Sequence, residues 1–288
     1  MHFKKLGASR NYREESGEFL CDGMKLLEEA VSSGVIIPAI LAAAPIPYPL
    51  SVDTRVYYAD RGLIDSLSPL KNAQDILFTC KISDKWSVVS GQETGERDSC
   101  QGSEVSGKET GECDSGQWSV VSGQETMGRD IDHWSDIGGT HLLLDGVQDP
   151  GNVGSVIRTA NAFKIKSVIL YNGCADAYNP KTIRASMGAV FRQHFCKMDI
   201  SELTALKDSG VRFFGAALDK NCRAIFDVKL DDAVIAIGNE GAGLSEGILS
   251  LCDELITIPI SADCESLNAA VAAAIIMWEA RGVQYVSA

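Results

Sequence analysis

The second half of the chain alternates short apolar runs with segments of helical periodicity, and this alternation is the feature that most limits its fold. The apolar runs lie at residues 142–144, 166–171, 212–217, 232–238 and 254–260. Continuous apolar strands separated by helices are typical of a parallel sheet that helices cover on both faces. We therefore predict an α/β fold for residues 138–288.

A turn rich in Gly and Asp follows the first of these runs. It occupies residues 145–160 and leads into a helix pattern, with Asn152 and Arg158 six positions apart. In open α/β sheets, ligands bind outside the carboxyl ends of the strands. The position of the turn therefore predicts that Asn152 and Arg158 belong to a ligand site.

Two further segments, residues 237–245 and 256–270, fall at predicted strand ends. Both also have a structural interpretation, because the glycines of the first suit a tight turn and Ser266 suits the N-cap of a helix predicted over 266–281. Asn268 is harder to explain in a first helical turn, because Asn is a poor helix-interior residue. The chain has no GxGxxG motif and no phosphate-cradling Lys motif, which argues against dinucleotide and nucleoside triphosphate sites.

The first part of the chain, residues 1–84, is predicted to form a small α/β domain. Apolar and β-branched runs predict strands at 19–21, 36–43, 54–58 and 75–82. A helical pattern of apolar residues covers 23–33, and Gly34 is a suitable stop.

Residues 85–137 differ in kind from both flanking regions. Residues 85–133 contain three copies of a unit of sixteen residues, rich in Ser, Gly and Glu. With few apolar anchors, such a unit cannot offset the entropy of ordering, so we predict a disordered acidic insertion between two domains. A solenoid of repeats is the less favoured alternative, because the copies are few and bury little.

Charge and cysteine content restrict the function classes. The formal net charge of −13 argues against a protein that coats nucleic acid through bulk charge, although residues 85–133 carry ten acidic and only four basic residues of the total. The nine Cys include no CxxC pair, so no metal site is predicted. No signal sequence or membrane-spanning run is found, and reduced cysteines are expected, which together predict a cytoplasmic protein without membrane contact.

Taken together, the segments at the strand ends resemble the motifs of the SpoU (TrmH-like) RNA 2′-O-ribose methyltransferases of the α/β-knot superfamily. The matching residues are 152–160, 237–245, 258–260 and 266–274, together with 179–189 between the motifs. The resemblance covers residues 140–282. Residues 9–82 are similar to the ribosomal-protein-L30e-like domain that often precedes such enzymes and binds their substrate, whereas the repeat departs from the family pattern.

This resemblance implies a deep trefoil knot, a threaded chain that is rare among proteins. It also implies S-adenosylmethionine as the cofactor, contacted by Gly238, Ile258 and Leu267, with Ser266 and Asn268 supporting the site. Such enzymes are homodimers with the site near the subunit interface.

The resemblance also assigns the catalytic residues. Arg158 would activate the ribose 2′-hydroxyl, and Asn152 and Glu240 would place groups around it. A guanidinium is not deprotonated in proteins, so we favour a role in which Arg158 holds the target phosphate and stabilises negative charge that develops on oxygen. Its action as the base is the alternative.

Cations are the candidates for RNA contact, because nucleic-acid binding relies on them. Arg10 and Arg13 flank Tyr12, and a basic and aromatic group suits loop or single-stranded RNA. The other candidates are Lys181, Arg184, Lys25 and Arg192. Each alone also has a simpler interpretation as a solvated surface charge.

The sequence therefore predicts an S-adenosylmethionine-dependent RNA 2′-O-ribose methyltransferase that acts on rRNA. The alternatives are a tRNA 2′-O-methyltransferase and a non-catalytic RNA-binding or ribosome-assembly factor that keeps the knot fold.

Overall fold

The computed structural model describes residues 1–70, 73–82, 138–219, 222–261 and 263–281. The predicted insertion at 85–137 lies outside these residues. The helices are α1 (His2–Ala8), α2 (Arg10–Ser16), α3 (Met24–Ser32), α4 (Arg61–Leu67), α5 (Pro150–Ala162), α6 (Pro180–Ser186), α7 (Ile200–Asp208), α8 (Glu246–Leu251) and α9 (Ala269–Ala280). The strands are β1 (Glu18–Asp22), β2 (Ala39–Ala42), β3 (Arg55–Tyr58), β4 (Ile76–Lys81), β5 (His141–Asp145), β6 (Ser167–Tyr171), β7 (Phe195–Lys197), β8 (Arg212–Ala216), β9 (Arg223–Ala224), β10 (Ala233–Ile237) and β11 (Glu254–Thr257).

The strands of the second half form one seven-stranded sheet in the order β7-β6-β5-β10-β8-β11-β9. Every pairing in it is parallel, which confirms the predicted parallel sheet. The late strand β10 lies between β5 and β8, in the middle of the sheet. The segments that follow β5 and β10 are therefore neighbours, although they lie far apart in sequence.

Alternate side chains of each central strand enter different hydrophobic cores. Along β5, Leu142 and Leu144 belong to a core that includes residues of α5, α6 and α9, whereas Leu143 belongs to a core with α7 and α8. Because both faces are covered, the successive positions 142, 143 and 144 are all apolar. Full burial of a Leu side chain stabilises the fold by about 1.5–3 kcal/mol.

The first part of the chain forms a separate four-stranded sheet in the order β1-β4-β2-β3. Only the β2–β3 pairing in it is parallel. One face packs on Leu6 and Ile64 from α1 and α4, and the other belongs to the core shared with α5 and α6. The predicted strands and the helix at 23–33 are confirmed, while the L30e-like identity and the domain limits at 84 and 137 stay predictions.

A buried ion pair joins the first part of the chain to the second. Arg13 donates from Nε and Nη2 to Oδ2 of Asp176 at 3.0 and 2.6 Å, and from Nη1 to the carbonyl of Leu6 at 2.5 Å. Next to this pair, the rings of Phe19 and Tyr178 lie 4.7 Å apart. The two sheets are therefore held against each other by charge as well as by apolar packing.

Three helices of the first part, α1, α2 and α4, were not expected from apolar periodicity. Helix α2 buries one charged residue, Arg13, and so shows no apolar stripe. Its ends do carry signals, because Ser9 Oγ accepts the N–H of Tyr12 at 3.2 Å and Gly17 follows with a φ of 60°. Capping residues were therefore the usable signal at this point in the sequence.

Among the described residues, no helix combines the length and the apolar character needed to cross a membrane.

Candidate functional site

Several strands of the parallel sheet end at one edge, and the candidate site lies there. Ile237 at the end of β10 pairs with Leu144 on one side and with Ala216 on the other. Ala216 pairs in turn with Ile256 of β11. The loops that follow β5, β10 and β11 therefore begin side by side, which brings the three predicted motif segments to one edge.

Helix α5 presents Asn152 at this edge. The helix begins at Pro150, whose fixed φ and missing N–H suit a first helical position. Asp149 is the N-cap, and its Oδ1 accepts the backbone N–H of Asn152 at 2.9 Å. The turn predicted between strand and helix is thus confirmed, and Asn152 lies in the first turn of α5.

Three predicted site residues form one chain of hydrogen bonds. Oδ1 of Asn268 accepts the N–H groups of Ala270 and Val271 at 3.0 and 3.3 Å, which turns its Nδ2 outward. That Nδ2 donates to Oδ1 of Asn152 at 3.1 Å, and Nδ2 of Asn152 donates to Oε1 of Glu240 at 2.5 Å. The N-terminus of α9 therefore fixes the direction of both amides and orients the carboxylate.

This geometry corrects the prediction for the last helix. Asn268 is its N-cap, and the helix begins at Ala269, three residues later than predicted from Ser266. Ser266 is exposed, and its carbonyl accepts the thiol of Cys264 at 3.3 Å. Asn268 therefore has a structural role, the cap, and a second role as the donor to Asn152.

The loop that carries Glu240 is closed on itself. Asn239 and Gly243 exchange two backbone hydrogen bonds of 3.0 and 2.9 Å, and Gly243 has a φ of 70°. A Cβ on Gly238 would lie 2.2 Å from the carbonyl carbon of Gly243. Only glycine fits at 238, so the structural interpretation of this segment as a tight turn is confirmed.

The end of β5 holds this loop at two points, through contacts that the sequence pattern does not predict. Oδ2 of Asp145 accepts the N–H of Ser245 at 2.6 Å, and the carbonyl of Gly146 accepts Nδ2 of Asn239 at 2.9 Å. Asp145 is only 1% exposed. An Asp directly after the apolar run at 142–144 was the available signal, because a buried carboxylate requires hydrogen-bond partners.

A buried thiol lies next to Asp145 but is not a nucleophile. Sγ of Cys174 donates to the carbonyls of Leu144 and Tyr171, each at 3.1 Å. Burial raises the pKa of the Cys174 thiol, and the negative charge of Asp145 raises it further, while backbone hydrogen bonds from Val147, Tyr171 and Gly146 lower it. Since the thiolate is the reactive form, this cysteine serves packing.

Arg158 is not part of the hydrogen-bonded group. It lies six residues beyond Asn152 on α5, which is about 9 Å along the helix axis. Its side chain is exposed, and it makes no hydrogen bond or ion pair within the part of the chain that the structure describes. The guanidinium is therefore available to a bound substrate.

The residues expected around the cofactor fit an adenosine group. Ile258 and Leu267 are half-buried apolar side chains, and Ile258 packs against the main core. Oγ of Ser245 is buried without a hydrogen-bond partner among the described residues. Apolar side chains suit a purine base and a hydroxyl without a partner suits a ribose, so these residues would fit S-adenosylmethionine.

The candidates for RNA contact fall into two groups. Arg10, Lys181 and Arg184 are exposed, and Arg10 pairs with Glu14 at 3.0 Å. Arg13 is only 3% exposed, because Asp176 and a backbone carbonyl take up its guanidinium. The prediction that Arg13 contacts RNA is therefore wrong, and its role is to join the two parts of the chain.

Comparison with known proteins identifies the second half. Residues 139–278 match the SpoU rRNA Methylase family. The 23S rRNA (guanosine(2553)-2′-O)-methyltransferase RlmP of Bacillus subtilis is 28% identical over 283 residues, which cover 97% of this chain and 94% of that protein. The 23S rRNA (uridine(2479)-2′-O)-methyltransferase of Streptomyces viridochromogenes is 35% identical over 147 residues, 48% of this chain and 51% of that protein.

A solved structure supports the same assignment at the level of the fold. The SpoU methyltransferase AviRb of Streptomyces viridochromogenes, crystallised with the cofactor AdoMet, has a TM-score of 0.71 at 24% identity. The similarity covers 97% of this chain and 95% of that one. With the motif residues gathered at one sheet edge, these similarities show that residues 139–278 belong to the SpoU methylase family.

Proposed function

We propose that this protein is an S-adenosylmethionine-dependent RNA 2′-O-ribose methyltransferase that acts on large-subunit rRNA. The observation that carries the proposal is the chain of hydrogen bonds from Asn268 through Asn152 to Glu240, at the edge where the three motif segments meet. Relatives over the full chain and over its second half are named as 23S rRNA 2′-O-methyltransferases, which supports rRNA over tRNA.

Bound S-adenosylmethionine supplies a methyl group on a positively charged sulfur. In the transfer, a bond would form between the ribose 2′-oxygen and the methyl carbon, the carbon–sulfur bond would break with its electron pair on sulfur, and the hydroxyl proton would pass to water. The protein must therefore hold the hydroxyl in line with the methyl group and stabilise the charge that develops on oxygen. Holding two substrates in a reactive geometry can account for about 7–11 kcal/mol of the barrier.

Arg158 is assigned to the RNA side of this reaction. A guanidinium stays protonated and presents donors in a fixed fork, so it can hold a phosphate and stabilise an oxygen that gains negative charge. Its exposed position, without a partner among the described residues, supports this role. Asn152 and Glu240, oriented by Asn268, are assigned to place the ribose.

The decisive experiment maps ribose methylation on 23S rRNA from cells with and without the gene. One 2′-O-methyl group should disappear in its absence and return when purified protein and S-adenosylmethionine are added to that rRNA. If no site in rRNA or tRNA is lost, the chain is a non-catalytic RNA-binding factor instead.

An Arg158→Ala variant tests the assignment of the residue. It should bind S-adenosylmethionine like the wild type in calorimetry but lose about 10²–10³-fold in methyl transfer, the typical effect of removing a donor that stabilises an oxyanion. Arg158→Lys keeps the charge without the fork and should recover part of the rate. An unchanged rate in Arg158→Ala would exclude the role.

Further features of the resemblance belong to the same proposal. We propose a knotted catalytic domain at 138–288, an L30e-like RNA-binding domain at 1–84 and a homodimer in the cytoplasm. Val271 and Trp278, which lie seven residues apart on α9, are 48% and 51% exposed, and such an apolar stripe favours a subunit contact. A Val271→Glu/Trp278→Glu variant should sediment as a monomer in analytical ultracentrifugation, whereas a wild-type protein that is itself monomeric would disprove the dimer.

A further inference from the structure

A groove of about 220 Å³ opens between α3 and α6, outside the group of residues around Asn152. Lys25, Leu26 and Gln74 line it from the first part of the chain, and Arg184 and Met187 line it from the end of α6. Small-molecule sites usually enclose about 300–1,000 Å³. This groove is smaller and open, so it suits part of a polymer better than a whole free cofactor.

The two acidic side chains at the groove, Asp22 and Glu29, both have partners within the protein. Asp22 accepts a hydrogen bond from the hydroxyl of Ser68 at 2.8 Å and a backbone N–H at 2.8 Å. Glu29 forms an ion pair with Arg192. Lys25 is exposed and makes no ion pair with any described residue. Glu29 is balanced by Arg192, so Lys25 and Arg184 face one carboxylate, Asp22, that has no ion pair with a described residue. The lining therefore keeps a small excess of positive charge, although the chain as a whole is acidic.

Met187 is an unusual residue for the conformation that it adopts. It ends α6 with a φ of 49°, in the left-handed region, and its side chain is 45% exposed. Gly or Asn would end the helix there with less strain. A thioether offers an adaptable apolar surface to a flat group.

The groove is connected to the methyl-transfer site through α6. A Cβ on Gly154 would lie 2.4 Å from the carbonyl oxygen of Thr182 and 2.6 Å from Cβ of Ala185, so α6 crosses α5 at Gly154. Gly154 is two residues beyond Asn152. Since Arg184 and Met187 line the groove, α6 and its C-terminal end border the groove as well as α5. A single strand of RNA that crosses α6 can occupy both places.

We infer that this groove binds a nucleotide of the substrate RNA close to the one that is methylated. Lys25 and Arg184 contact its phosphates, its base lies against Met187 and Leu26, and the amide of Gln74 faces the polar edge of the base. Single-stranded RNA is recognised by such a combination of cations, a surface for the base and a polar side chain. The inference depends on the proposed function only in taking RNA as the substrate.

The first test is Met187→Gly, measured with 23S rRNA from cells that lack the gene. A purely structural role predicts an unchanged or higher Tm and unchanged RNA affinity, because glycine relieves the left-handed strain. If the groove binds RNA through Met187, the variant should have the same or a higher Tm together with weaker RNA binding in a filter assay. RNA binding equal to that of the wild type would overturn the contact with Met187.

The second test is a Lys25→Gln/Arg184→Gln variant, compared with Lys164→Gln/Lys166→Gln. The control removes the same charge from exposed lysines just before β6, at the opposite edge of the sheet. The groove variant should raise the KM for this rRNA by about tenfold, with kcat and S-adenosylmethionine affinity unchanged. The slope of log affinity against log salt should fall by about 0.7 for each lost contact to a single strand. Lys25→Gln alone should give about half of the change in slope.

The outcomes distinguish this inference from the proposed function. If the wild type methylates the rRNA while the groove variant matches its control in KM and salt slope, the groove does not bind RNA and the function stands. If the wild type methylates no RNA, the proposed function fails, and the salt slope alone decides the groove. If the double variant has a lower Tm than the wild type, Lys25→Gln alone is used in its place. Lys25 makes no ion pair with any described residue, so its replacement breaks none of them.

Discussion

A single methyl group added at Gly238 should disable the site, because the surrounding atoms belong to the backbone. A Cβ there would lie 2.2 Å from the carbonyl carbon of Gly243, 2.3 Å from its oxygen and 2.5 Å from the nitrogen of Leu244. Ordinary contacts begin at 3.4 Å, so the loop must move by about 1 Å. No side-chain rotation can make this room.

The cost of Gly238→Ala can be estimated from this overlap. Overpacking typically destabilises a protein by about 1–3 kcal/mol, and each kcal/mol lowers the Tm of a chain of this size by about 2–4 °C. The displaced loop also carries Glu240 and is tied to Asp145 through Ser245. A misplacement of about 1 Å at a catalytic site costs about 10²-fold in rate, so methyl transfer should fall by that factor.

Gly241 in the same loop provides the matched control. A Cβ on Gly241 would meet Oδ1 of Asn239 at 3.5 Å, an ordinary contact, and its φ is not positive. Gly241→Ala should therefore stay within about 0.5 kcal/mol of the wild type in stability. Differential scanning calorimetry and transfer of a labelled methyl group measure both effects. If Gly238→Ala equals Gly241→Ala in Tm and rate, the steric reasoning is wrong.

Three further variants test other parts of the structure. Asn268→Asp keeps the cap on α9 but removes the donor to Asn152. Its Tm should match the wild type, while the rate of methyl transfer should fall at least about tenfold. Asn268→Ala should also lose about 0.5–2 kcal/mol of unfolding free energy in urea denaturation. Arg13→Leu leaves Asp176 unpaired and should lower the free energy of unfolding by about 3–5 kcal/mol. Arg13→Leu/Asp176→Asn should recover part of this loss. An unchanged urea midpoint in Arg13→Leu would contradict the buried pair. Deletion of residues 85–133 should leave Tm and methyl transfer unchanged, because the repeat has few apolar residues to bury, and loss of folded protein would refute this expectation.

Local patterns in the sequence were sufficient for most elements of the parallel sheet. The run at 142–144 is apolar at every position because β5 is covered on both faces, so the pattern identified a buried strand directly. Two strands are shorter than their apolar runs predict, and each is limited by a nearby proline. β2 begins at Ala39, after Pro38, and β11 ends at Thr257, before Pro259, because proline lacks the N–H that a sheet requires.

The resemblance of the motif segments to a family identified residues that local patterns did not. Asn152, Glu240 and Asn268 were assigned in this way, and the structure joins them by hydrogen bonds across sequence separations of 88 and 116 residues. Hydrogen bonds between such distant residues cannot be derived from periodicity. Asp145 was missed because the partners of its two carboxylate oxygens, Asn172 and Ser245, lie in other loops, and only the sheet order brings them together.

The sequence by itself determined the alternation of strands and helices, the parallel sheet and the family. Apolar periodicity and motif spacing are local properties of the sequence. A strand that is buried on both faces of a sheet must be a continuous apolar run, which is recognisable from the sequence alone. Tertiary structure decided which charges are free. Arg13 and Arg158 look equally available in the sequence, but Asp176, 163 residues away, buries the first, and within the described residues the second has no partner. A charge is buried only where the fold supplies its partner, and that partner is set by packing between distant segments.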